Sequence, residues 1–173
     1  MSLEQLKESL GDHAKDTRLN LGTVITSAQG LNPNQAYAIA LACAYTTRTQ
    51  AVVDSILAEV TGKISDAEIT AAKSASIIMA MNNVYYRATH LSEDEDLQKL
   101  PAGLRMQVLA NPGVDKVDYE LYALAVSAIN GCGACVSSHV KQAAHAGVTK
   151  QGIQSALKIA AVVNAAAQAS FIG

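Results

Sequence analysis

Apolar residues recur every three to four positions along almost the whole chain, and no segment alternates apolar with polar residues in the manner of a strand. The spacing predicts helices over residues 2–9, 15–27, 33–45, 49–60, 66–90, 104–110, 116–130, 136–147 and 150–170, hence an all-α fold. The boundaries carry their own chemistry. Asn32, Pro33 and Gln35 supply an N-cap, a first-turn proline and a capping-box partner, and Ser65 with Glu68 forms a second capping box. Asp115 and Thr149 cap two further helices. Gly11, Thr61-Gly62-Lys63, Asn111-Pro112-Gly113 and Asn130-Gly131 are stops, the last because both residues tolerate the left-handed conformation. The acidic run within 91–101 reads as a solvated loop between two halves.

A shift of about 84 residues lays the second half over the first. Leu41 to Ala44 falls on Ala125 to Ala128, Ile64-Ser65 on Val148-Thr149, and Ile69, Ala72 and Met79 on Ile153, Ala156 and Val163. Alanine-rich helices also mimic one another by composition, so the duplication stays open at this level. The expected organisation is one domain over 1–173, with an N-terminal half of about 1–98 and a C-terminal catalytic half of about 99–173.

Composition narrows the classes. At 173 residues the chain can bury one substantial core. Half of it is apolar but only 4% is aromatic, so alanine and aliphatic residues must bring helices close together. Charged residues are 16%, below the ~25% usual in soluble domains, which points to surface covered by other subunits. A net charge of −2 without a basic run excludes a nucleic-acid partner. The N-terminus is charged rather than signal-like, and no uninterrupted apolar run of ~18 residues predicts a membrane span. Three cysteines in such a chain place it in a reducing compartment, the cytoplasm, where Cys-x-x-Cys is redox-active or metal-binding more often than a staple.

The chemistry concentrates in Gly131-Cys132-Gly133-Ala134-Cys135-Val136-Ser137-Ser138-His139. A helix beginning here would set Cys132 and Cys135 at i and i+3, about 5 Å apart, within disulfide range. His139 would stand one turn beyond Cys135, placed to take its proton or to stabilise its thiolate. The break at Gly131 and the presence of Gly133 predict an open, accessible helix start. Unpaired amides at that end favour a thiolate on Cys132, but a dipole worth ~0.3–1 kcal/mol should yield to a specific base at Cys135. The rival chemistry is structural zinc on Cys132, Cys135 and His139, which lacks a fourth ligand. Glu120 could orient His139 if the chain folds back at Gly131, although spacing alone favours an exposed first-turn acid. Cys43 reads as a core residue. His13, His90 and His145 have no partner at useful spacing and read as surface or structural.

The run Glu120-x11-Cys132-x2-Cys135-x3-His139 resembles the alkyl hydroperoxidase D (AhpD) family, within the carboxymuconolactone decarboxylase-like superfamily. The likeness extends through Met79-Ala-Met-Asn-Asn-Val-Tyr-Tyr-Arg87, Gly103-Leu-Arg-Met106, Ala110-Asn-Pro-Gly113 and Ala125-Val-Ser-Ala-Ile-Asn-Gly131. The resemblance implies an all-helical homotrimer without a bound cofactor that acts as an antioxidant thiol peroxidase on alkyl hydroperoxides. It implies electrons from dihydrolipoamide on a lipoyl-bearing 2-oxo-acid dehydrogenase component, and the ability to regenerate a peroxiredoxin of the AhpC type. It assigns Cys135 to attack on the peroxide, passing through a sulfenic acid. Cys132 becomes proton donor and resolving thiol, so that the two close a redox disulfide. His139 becomes the base, with Glu120 orienting it. Some members carry a histidine between the cysteines where this chain has Ala134, which predicts weaker peroxide turnover with disulfide exchange less affected. A decarboxylase-like lyase is the alternative activity, and it would not need both cysteines.

Overall fold

The computed structural model describes residues 1–173, and ten α-helices with one 3-10 turn supply its regular structure. The helices are α1 (Leu3–Ser9), α2 (Lys15–Thr23), α3 (Pro33–Thr47), α4 (Gln50–Val60) and α5 (Asp66–Leu91), followed by α6 (Glu95–Lys99), α7 (Gln107–Ala110), α8 (Lys116–Ile129), α9 (Gly133–His145) and α10 (Lys150–Ile172). No strand forms, and the fold is all-α as the periodicity predicts.

The long helices begin where their caps dictate. Gln35 N–H donates to Asn32 Oδ1 at 2.8 Å while the Gln35 side chain accepts from Asn32 N–H at 2.9 Å, and Ser65 with Glu68 makes the same reciprocal pair. Gly152 N–H donates to Thr149 Oγ1 at 3.1 Å. Helices α3, α8 and α10 form the centre. Ala38 to Ala44 is buried without interruption, as is Leu121 to Ser127, so α3 and α8 are covered on every side. Their small side chains let α10 and α5 pack closely against both. Helix α10 is long and apolar enough to cross a bilayer, but Ile159, Val163 and Ala166 are fully buried here as one face of the core.

Helices α3, α4 and α5 start at Pro33, Gln50 and Asp66; α8, α9 and α10 start at Lys116, Gly133 and Lys150. The helix starts keep offsets of 83, 83 and 84 residues through three consecutive helices, the register of the faint sequence repeat. Only the second set carries the Cys-x-x-Cys.

Four boundaries differ from the sequence reading. A 3-10 turn at Asp12–Ala14 precedes α2, and α2 stops at Thr23, residues 24–27 continuing as turns. The acidic run is not wholly a loop: Asp94 Oδ1 accepts the N–H groups of Asp96 and Leu97, both at 3.0 Å, and nucleates α6. Residues 104–106 are not helical; Pro101 holds Leu100 extended, and Met106 provides no side-chain cap for α7. Helix α9 begins at Gly133 rather than Val136, because Cys132 itself serves as N-cap.

The loop before α3 crosses the start of α10 at backbone contact. A Cβ added to Gly152 would sit 2.6 Å from Gly30 O, and Ser155 Oγ donates to Gln29 O at 2.8 Å. The clash in Gly152→Ala involves backbone, which no rotamer relieves. Urea unfolding of this variant is expected to show a loss of about 1–3 kcal/mol.

Candidate active site

Helix α8 ends in a Schellman turn. Gly131 N–H donates to Ala128 O and Cys132 N–H to Ser127 O, each at 3.2 Å, with Gly131 at φ 69°. A side chain at that position would cost about 1–2 kcal/mol. The turn is pinned from α5. Asn83 Nδ2 donates to Ser127 Oγ at 2.9 Å, Asn130 Nδ2 donates to Asn83 Oδ1 at 2.9 Å, and the Arg87 guanidinium donates to Asn130 O. The chain then reverses, and α9 packs alongside α8.

Cys132 lies extended at the head of α9, and its Sγ accepts the Cys135 N–H at 3.3 Å. The two sulfurs are joined in a disulfide with Cα atoms 5.3 Å apart, the spacing expected from i and i+3. The reversal brings Glu120 on α8 directly onto α9: His139 Nδ1 lies 2.7 Å from Glu120 Oε2. Glu120 is therefore not the free first-turn acid that spacing favoured. With Nδ1–H given to the carboxylate, His139 Nε2 is left as the nitrogen able to accept a proton. His139 is mostly buried, its side chain 14% exposed, so the pair is only partly screened by water.

The helix start is open at Gly133 and Ala134, which are exposed, but the cysteines are covered: Cys132 is 0% and Cys135 6% exposed, with α5 packed against α9. Access runs instead through a cavity of about 430 Å³ between α5, the α6–α7 segment and α9. Cys135 and His139 line it together with Asn82, Met79, Met106 and Leu109, whereas Cys132 does not. Met79, Met106 and Leu109 give the cavity apolar lining beside its polar groups, suited to an organic chain with one polar end. Ala134 also faces this space, with no side chain beyond its Cβ.

The His90 side chain, read from sequence as unpartnered, makes no hydrogen bond but lines the cavity. Asn82 was also missed, since Met-Asn-Asn in a long helix reads as ordinary polar spacing. Only the packing of α5 against α9 reveals which asparagine lines the cavity. Cys43 lies fully buried in α3, and burial pushes its thiol far above the ordinary range, so it is an inert core group. The Cys132 and Cys135 sulfurs are bonded to each other, and His139 Nδ1 is held by Glu120.

An all-helical scaffold presenting one sulfur of a Cys-x-x-Cys to a cavity, beside a carboxylate-held imidazole, defines a dithiol–disulfide site. The carboxymuconolactone decarboxylase family model matches residues 95–172, which span α6 to α10. Relatives named alkyl hydroperoxide reductase AhpD extend the match to nearly the whole chain. The Rhodospirillum centenum protein is 51% identical over 96% of this chain and 89% of its own length. That of Rhodopseudomonas palustris is 51% identical over 96% and 92%, and that of Coxiella burnetii 46% over 98% and 97%. The chain belongs to the AhpD family, within the carboxymuconolactone decarboxylase-like superfamily.

Proposed function

We propose that the protein is an antioxidant alkyl hydroperoxide reductase working through a Cys132–Cys135 disulfide cycle. The observation that carries this is the cavity-facing Cys135 one turn from His139, whose ring is held by Glu120 at 2.7 Å. In the reduced protein His139 Nε2 takes the Cys135 proton, and Glu120 steadies the imidazolium that forms. The thiolate attacks the terminal oxygen of the hydroperoxide. An S–O bond forms, the O–O bond breaks, and the alkoxide leaves as alcohol after taking the Cys132 proton. Cys132 then displaces hydroxide from the Cys135 sulfenic acid, which departs as water once protonated by the imidazolium. Peroxide has gained two electrons and the dithiol has lost two.

The same geometry suits the return step. An incoming dithiol can reach only the cavity-facing sulfur, so it bonds to Cys135 and expels Cys132 as a thiolate. That leaving charge falls on the sulfur already accepting the Cys135 N–H at the start of α9, where amides and dipole stabilise it. The tension between the helix end and the histidine thus resolves into two steps, each sulfur being favoured in one. We assign the reductant as dihydrolipoamide on a 2-oxo-acid dehydrogenase component, a co-substrate and not a bound cofactor. The downstream partner is an AhpC-type peroxiredoxin, and the location is the cytoplasm. A homotrimer agrees with the exposed Ile77, Val84 and Leu91, seven residues apart on one face of α5. A lyase finds no use for two sulfurs within bonding distance.

The test is steady-state consumption of an organic hydroperoxide with dihydrolipoamide as sole reductant. Turnover is expected, and addition of the peroxiredoxin should raise it. Absence of turnover in both mixtures would remove this reading.

A further inference from the structure

Asn82 and Asn83 are adjacent in α5, both almost fully buried, and they are used in opposite ways. Asn83 spends both ends of its carboxamide on Ser127 and Asn130 in the network that pins the α8–α9 turn. The Asn82 side chain makes no hydrogen bond, and its Oδ1 is sealed from solvent without a partner. A buried carbonyl without a partner costs on the order of 1–3 kcal/mol, a cost that a donor on a bound ligand would offset. At 4% exposure Asn82 lines the cavity onto which Cys135 opens.

We propose that Asn82 binds the hydroperoxyl group of the substrate and holds it for attack by Cys135. A hydroperoxide carries one O–H donor and two acceptor oxygens. A carboxamide can serve both: Oδ1 is sealed as the side chain stands, so the NH2 end donates to an oxygen, and Oδ1 accepts the O–H once the amide plane turns toward the cavity. The contact orients the O–O bond toward the thiolate, while Met79, Met106 and Leu109 take the alkyl chain. The leaving oxygen gains negative charge as the O–O bond breaks, so the Asn82 NH2 strengthens its bond in the transition state. No proton or electron passes through Asn82; it positions substrate within the cycle proposed above and rests on that cycle.

The experiment separates the two half-reactions. Reduced wild type and Asn82→Leu are mixed with hydrogen peroxide and, separately, with tert-butyl hydroperoxide, and thiol loss is followed. The oxidised proteins are then reduced with dihydrolipoamide. Leucine keeps the branching and the number of heavy atoms and replaces the two polar ends with methyl groups. Oxidation is expected to slow by roughly 10- to 100-fold with both peroxides, because the contacted group is common to them. Reduction by dihydrolipoamide should change less than about two-fold, and the unfolding midpoint should hold or rise, since an unmatched polar atom has been removed. Unchanged oxidation overturns the inference and leaves the disulfide cycle standing. Equal losses in both half-reactions, or a loss confined to the bulkier peroxide, show a packing role and overturn it too. If wild-type thiols survive both peroxides, the cycle and the inference fall together.

Discussion

Cys135→Ser is expected to lose peroxide reduction entirely, falling to the rate of the uncatalysed mixture. Only this sulfur both lines the cavity and stands a helical turn from His139, so no other group in the chain can replace it. Cys132 is 0% exposed and outside the cavity lining, and Cys43 is locked in the core with its thiol protonated. The exchange of sulfur for oxygen is small, and the Cys135 backbone N–H still caps onto Cys132, so the variant should fold with an ordinary unfolding midpoint. Cys132→Ser makes an informative contrast. It keeps the attacking sulfur and loses the resolving one, so a single turnover should leave a sulfenic acid that a trapping reagent labels at Cys135 and nowhere else. Continued turnover in Cys135→Ser would assign the chemistry to a different residue.

The second large effect is at the histidine. In His139→Gln the amide can still bond Glu120 but cannot accept a proton at neutral pH. The thiolate population at Cys135 then depends on the thiol's own acidity, only about 3% at pH 7 for a pKa near ~8.5, so oxidation should slow by roughly 30-fold near pH 7. The deficit should shrink as pH rises, because an unassisted thiol with pKa near ~8.5 ionises without a base. A wild-type to His139→Gln ratio that narrows steadily between pH 7 and 9 is the signature of lost proton transfer. A ratio that stays flat would mean that the substitution merely disturbed the cavity. Glu120→Gln should follow the same trend more weakly, since it loosens the ring and removes the partner of the imidazolium without removing the base.

Much of this was legible in the residues because it is local. A cap and its partner lie three positions apart, so Asn32 with Gln35 and Ser65 with Glu68 announce their helices without help from the rest of the chain. The Asn130-Gly131 stop and the i, i+3 cysteines belong to the same class, and the disulfide spacing follows from them. The Glu120–His139 contact does not. It depends on how α9 folds back along α8, an angle fixed by the Schellman turn and by the Asn83, Arg87 and Asn130 network reaching over from α5. The covered state of the sulfurs was equally invisible, since glycines at a helix start say nothing about what packs on top. The cavity joins residues from α5, the α6–α7 segment and α9 that share no sequence neighbourhood, so Asn82 and His90 emerge only once those helices are in place.

The most direct measurement is a thiol count on the reduced protein before and after one equivalent of tert-butyl hydroperoxide, made under denaturing conditions so that Cys43 is included. The chain has three cysteines. The count should fall from three to one in a single phase, with Cys132 and Cys135 recovered as one intramolecular disulfide and both thiols restored by dihydrolipoamide. A count that stays at three, or a disulfide that links separate chains, would contradict the account.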